Sequence, residues 1–131
     1  MEKIFVDSDF LIDFLRGKAY TRSFIDKIES REIEGYISVV TAFELYNGSF
    51  LSSNPNKKLN EVENILNWFV IVNIDREMML KASKINSELI LKGEKIQIED
   101  VLIAATAISL NLRLLTNNKK HFNKIKDLRL Y

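Results

Sequence analysis

Cysteine is absent from the chain, and with it every disulfide and every thiolate metal site. That lack fits a reducing compartment, and a cytoplasmic setting is the expectation. A single histidine, His121, excludes a zinc site built from several imidazoles of one chain. Any bound metal would then be held by oxygens, which points to Mg²⁺ or Mn²⁺. Glycine is sparse. Gly17, Gly35, Gly48 and Gly93 are scattered, and none builds a phosphate-cradling loop, so a dinucleotide-binding Rossmann enzyme is set aside. No apolar run is long enough for a membrane span, and Asp7, Asp9 and Asp13 argue against a secretory leader. Net charge is also nearly absent, at +1.

What the chain does have is segregated charge. From Asn111 to Tyr131, six Lys or Arg against Asp127 alone give +5, which leaves −4 for the residues before. Such asymmetry marks either a nucleic-acid face or a solvated C-terminal surface. The 131 residues suit one domain, residues 1–131, with an ordinary globular balance of 47% hydrophobic and 28% charged residues.

The organising stretch is Lys3 to Gly17. Ile4, Phe5 and Val6 read as a buried strand that ends in Asp7, and Ser8 and Asp9 favour a helix N-cap. Phe10, Leu11, Phe14 and Leu15 follow at helical spacing, and Gly17 supplies a stop. Lys18 to Arg31 reads as an amphipathic helix. Gly35 to Val40 reads as a second strand, after which Thr41 caps a helix. Glu44 then fits as its reciprocal capping-box partner, or as an acid facing a cleft. Pro55 lies in a stretch expected to be a loop, before a helix over Leu59 to Trp68. Val70 to Ile74 reads as a third strand, and Asp75 caps a long helix running to about Leu91. Trp68 and the phenylalanines are expected in the core.

Ile96 to Leu110 predicts a helix apolar almost all round, with Glu99 and Asp100 in its first turn. An acid there either gains from the helix dipole in water or faces a cation, a donor or a cleft. Arg113 to Thr116 reads as a fourth strand that ends in the polar cluster Thr116, Asn117 and Asn118, and Leu128 to Leu130 as a last edge strand. Strands alternating with helices predict a parallel sheet covered on both faces, whose strand ends converge. Asp7, Glu44 and Asp100 would then share one cleft. Three such carboxylates repel each other, and each is expected to have a raised pKa unless a divalent cation neutralises them. That ion can polarise a phosphoryl oxygen and lower the pKa of bound water.

Four segments in order resemble the PIN-domain family, specifically the VapC-like toxin ribonucleases of type II toxin–antitoxin systems. They are Val6 to Gly17, Ser38 to Gly48 with Glu44, Ile98 to Ala107 with Asp100, and Leu115 to Phe122. The resemblance implies a three-layer α/β/α sandwich with a central parallel sheet, a Mg²⁺ or Mn²⁺ cofactor and endoribonuclease activity. Asp7 and Asp100 would be the principal metal ligands, with Glu44 as ligand or as base for the water. Ser8, Thr41 and Thr116 would supply hydroxyl contacts. Asp9 reads first as an N-cap, and Asp13 and Arg16 as a surface or interface pair. Many relatives carry an acid where this chain has Asn118, which puts a tightly held second metal in doubt. An RNA substrate, with Lys119 and Lys120 on its backbone, a cognate antitoxin and a homodimer are implied, and no membrane. The alternatives are a non-catalytic PIN-like interaction module and a haloacid-dehalogenase-type phosphatase. The latter would use Asp7-Ser8-Asp9 and Thr116, although its later acidic pair should follow the threonine.

Overall fold

The first strand, β1 (Glu2–Val6), has an apolar side chain on each of its faces. Ile4 and Val6 enter one hydrophobic cluster and Phe5 enters another, as the period of two along a strand requires. A strand buried on both faces belongs inside a parallel sheet, and that is where β1 lies. The computed structural model describes all residues, 1–131. Its sheet adds β2 (Ile33–Ser38), β3 (Phe69–Val72) and β4 (Arg113–Leu115) in the order β3-β2-β1-β4, with every pairing parallel.

One face is covered by α1 (Ser8–Leu15), α2 (Arg22–Glu29), α3 (Val39–Phe50) and α4 (Pro55–Leu66). Phe10, Leu11, Ile25, Leu45 and Ile65 fill that layer against Ile4, Val6 and Ile37. The other face carries α5 (Arg76–Leu91), α6 (Ile98–Ser109) and the single turn α7 (Lys119–Phe122). There Leu89, Val101, Ile103, Ala104 and Phe122 pack on Phe5 and Leu114. This is the three-layer α/β/α sandwich expected from the alternation of strand and helix patterns. No helix is long and apolar enough to cross a membrane.

Several boundaries move, each for a local reason. The second helix of the first layer is shorter than the span Lys18 to Arg31 read from the sequence, because Ala19–Thr21 forms a separate 3₁₀ turn. Ser38, not Thr41, caps α3, its Oγ accepting from the Val40 N–H at 3.0 Å. Val39 and Val40 therefore belong to the helix, and Thr41 is a buried side chain within it. The capping-box pairing of Thr41 with Glu44 does not form. Pro55 is the first residue of α4 rather than part of a loop, a position where its missing N–H costs nothing. Asp75 caps α5 as expected, accepting from the Met78 N–H at 2.8 Å. Leu128 to Leu130 contributes only a parallel bridge, Leu114 to Leu130. Not every aromatic is core: Trp68, Phe43 and Phe50 are 45%, 67% and 62% exposed.

Glycine is required where β2 passes the first layer. A Cβ at Gly35 would lie 2.5 Å from the Phe69 ring and 2.9 Å from Ile28 Cδ1. Both neighbours are buried in the same cluster and have little room to retreat. Gly35→Ala is therefore expected to destabilise the protein by about 1–3 kcal/mol, read as a lower urea midpoint with an unchanged slope.

Candidate active site

Parallel sheets bind ligands outside their strand carboxyl ends, at the point where strand order reverses. Here the chain moves from β1 to β2 and β3 on one side, then returns to β4 on the other. The crevice between the ends of β1 and β4 is that point. Asp7 and Thr116 are the residues immediately past the two strands.

Asp7 is the buried acid of the crevice, 2% exposed. Its N–H donates to Leu115 O at 2.9 Å, which continues the β1–β4 ladder and leaves the carboxylate at the sheet edge. Asp7 occupies the N-cap position of α1, yet its side chain caps nothing. It accepts instead from the Thr116 hydroxyl, Oγ1 to Oδ2 at 2.7 Å. Thr116 Oγ1 in turn accepts from the Asn118 N–H at 2.9 Å, so the direction of the hydroxyl is set by backbone. Burial pushes the Asp7 pKa up to about 7, with further upward pressure from Asp9 and Asp100, against the Thr116 bond that pulls it down.

Glu44 reaches the crevice from α3. Ser8 Oγ donates to Glu44 Oε1 at 2.9 Å and lies 2.7 Å from Thr41 Oγ1. Since the Ser8 proton is committed to Glu44, Thr41 is the donor to Ser8. The three side chains form one chain of hydroxyls ending on a carboxylate, and they bind α1 to α3. Asp100 comes from the first turn of α6, half-buried, with Oδ2 3.3 Å from His121 Nδ1. His121 Nδ1 is also 2.7 Å from Asn118 Nδ2. The two contacts need different states of that nitrogen: protonated it donates to Asp100, and bare it accepts from the Asn118 amide. Burial is the first cause that raises the pKa of both Glu44 and Asp100. The expected upward shifts are thus present, but desolvation leads and mutual repulsion follows.

Asp9 is not an N-cap. It lies in the first turn of α1, exposed, and its charge acts on Asp7, Glu44 and Asp100 alike. Glu99 adds to the field at Glu44 and Asp100. Asp13 does not pair with Arg16. It bonds Tyr20 and the Asn117 amide and lies 3.5 Å from Lys18 Nζ, pinning the turn after α1 to the turn after β4. Lys119 and Lys120 stand exposed on α7, beside the Asn118–His121 pair. The sequence had pointed to neither His121 nor Tyr20 as a partner of the crevice. A histidine three residues past Asn118, on the same short turn, was the available signal.

The donors suit a hard cation, being carboxylate oxygens with hydroxyls behind them. No three acidic or histidine side chains close into a ready coordination group. Mg²⁺ is nonetheless bound through one or two carboxylates with water and phosphate completing its shell, so Asp7 and Asp100 fit such an ion. The order of acids runs against a phosphatase of the haloacid-dehalogenase type. Glu44 and Asp100 precede Thr116, and Asp127, the one acid after it, lines a different groove.

A carboxyl group whose folded pKa exceeds its unfolded one binds its proton more tightly when folded, so stability is lost as pH rises between the two values. For Asp7 that window runs from the ordinary 3.8 to about 7. In chelator, the melting temperature is expected to fall as pH rises through it. Asp7→Asn should flatten this slope and melt higher than the parent above the window, measured by thermal circular dichroism.

The PIN domain family model matches residues 4–128. The chain is 37% identical to ribonuclease VapC1 of Methanocaldococcus jannaschii over 129 residues, covering 98% of this chain and 85% of the relative. It is 31% identical to the tRNA(fMet)-specific endonuclease VapC of Salmonella typhimurium over 94 residues, covering 72% and 71%. Among solved structures, DNA-bound VapBC from Salmonella typhimurium superposes with a TM-score of 0.90 at 27% identity, covering 100% of this chain and 98% of that one. With the parallel sheet and the acids at its switch point already in place, these likenesses establish that the chain belongs to the PIN domain family.

Proposed function

We propose that the chain is a metal-dependent endoribonuclease that hydrolyses RNA phosphodiester bonds, held in check by a cognate antitoxin. The observation that carries this reading is the gathering of Asp7, Glu44 and Asp100 at the strand ends with all three pKa values raised, while none of the charges acting most strongly on them is a Lys or Arg. An acidic crevice whose one basic neighbour is His121, beside Asp100, is a site for a cation. Mg²⁺ or Mn²⁺ bound there would neutralise the acids, polarise a phosphoryl oxygen and lower the pKa of a water.

The protein's own groups would do the rest. Asp7 and Asp100 would hold the ion, with Thr116 and the Asn118 N–H fixing the direction of the Asp7 carboxylate. Glu44, oriented by Ser8 and Thr41, would serve as a further ligand or accept the proton of the attacking water. Lys119 and Lys120 would take backbone phosphates, positioning the strand without reading its sequence. Asn118 adds no charge at the fourth position, so one ion rather than two is the economical assignment. The related VapBC and FitAB solved structures are complexes. Exposed Phe43, Phe50 and Leu51 on and after α3, and Leu80, Ile90 and Leu91 on α5, offer apolar surface for an antitoxin and for a second copy of the chain.

Purified protein incubated with defined RNAs should cut them in Mg²⁺ or Mn²⁺ and not in chelator. Asp7→Asn and Asp100→Asn are each expected to lose about 10²–10⁴ in rate while remaining folded. Asn118→Asp should lower the Mg²⁺ concentration needed for half-maximal rate. Equal cutting by parent and Asp7→Asn would refute the site. Folded protein that cuts no RNA in either metal would favour the non-catalytic module instead.

A further inference from the structure

An acidic crevice repels the polyanion it is meant to cut, and a net charge of +1 gives the molecule no general attraction to make up for it. Affinity for RNA must come from a positive surface elsewhere. One such surface outside the crevice is a groove of about 540 Å³ between α5 and the segment after α7. Lys81 and Lys84 on α5 and Lys92 at its C-cap line one wall, and Lys124 and Lys126 the opposite one. All five are exposed, and none forms an ion pair. Glu88 and Asp127 share the groove and cannot answer five lysines at once. Along α5 and its C-cap the three lysines fall on one stripe about 16 Å long.

The groove is joined to the crevice by a single stretch of chain. That stretch begins at Asn118, bonded to His121 beside Asp100, and passes Lys119 and Lys120 before entering the groove at Lys124. Phe122 and Ile125 anchor it, 1% and 5% exposed, so its lysines are held on a fixed backbone rather than a free tail. Lys124 is the sixth residue after Asn118, at most about 22 Å of extended chain away.

We propose, on the ribonuclease function inferred above, that this groove is a second binding site for the phosphodiester backbone of the RNA substrate. It holds the strand that flanks the cleavage point, while the acidic crevice receives only the phosphate to be cut. Its contacts are to phosphates, so it adds affinity and salt dependence and no sequence preference.

The test is the triple variant Lys81→Gln, Lys84→Gln, Lys92→Gln, which leaves the crevice, Lys119 and Lys120 untouched. Two substrates are compared: a long RNA, and an oligonucleotide too short to reach from crevice to groove. The variant should raise KM for the long RNA about 10-fold with kcat unchanged, and leave the short substrate unaffected. The slope of log affinity against log salt should fall by about 2, near 0.7 for each phosphate contact removed. Equal losses on both substrates, or none on either, would overturn the proposal. If the parent cuts no RNA, the nuclease function fails separately, and fluorescence anisotropy with the long RNA still decides the groove. Weaker, less salt-dependent binding by the variant supports it, and identical binding refutes it. Polyglutamate binding to the parent as tightly as RNA, with the same loss in the variant, would also refute it by making the groove a dock for acidic protein.

Discussion

The burial of one carboxylate at the end of the central strand governs the rest of the architecture. A charge removed from water costs several kcal/mol unless something compensates. The chain supplies only partial compensation for Asp7, chiefly the hydroxyl bond from Thr116 with a smaller contribution from the Ser8 backbone. Two further acids are brought to the same crevice, Glu44 through Ser8 and Asp100 beside His121, and the charges of Asp100 and Asp9 raise the cost at Asp7. A fold that needed only stability would place an amide or an apolar group at this position. Keeping the acids fits the proposed function, in which a cation would supply the missing charge at a local cost in stability.

The same logic explains how positive charge is distributed. The acids gather at one edge of the sheet, and the lysines are kept out of their reach, on α7 and along the groove beside α5. Lysines among the carboxylates would satisfy them internally and leave no demand for an ion. Lysines a short way off leave the crevice unneutralised while making the surrounding surface attractive to a polyanion.

Much of this was legible in the sequence, for identifiable reasons. β1, β2 and β4 are short segments rich in apolar or β-branched residues and ending in or followed by polar ones, and α6 is apolar nearly all round, so their existence along the chain followed from pattern alone. The three acids followed from the convergence of parallel strand ends. What pattern could not supply was the choice between equivalent caps. Ser38 and Thr41 are both good N-cap residues, and only the three-dimensional demand for Thr41 near Ser8 decides between them. Asp9 likewise fits a cap or a first turn, and the commitment of Asp7 to Thr116 settles which residue starts α1. His121 lies 21 residues from Asp100, and a contact over that distance has no local signature. Phe43, Phe50 and Trp68 misled because a large apolar residue left on the surface has the same sequence signature as one in the core.

The sheet divides the interior into two half-cores, and the acids of the crevice are split between them. Asp9 and Glu44 ride on the layer of α1 and α3, whereas Asp100 rides on the layer of α6. The spacing of the carboxylates is therefore a mechanical property of the whole sandwich, set by how the two helical layers seat on either side of β1. A wedge driven between α1 and α3 would spread the acids without touching one of them, and an ion drawn into the crevice would act as a clasp across both layers.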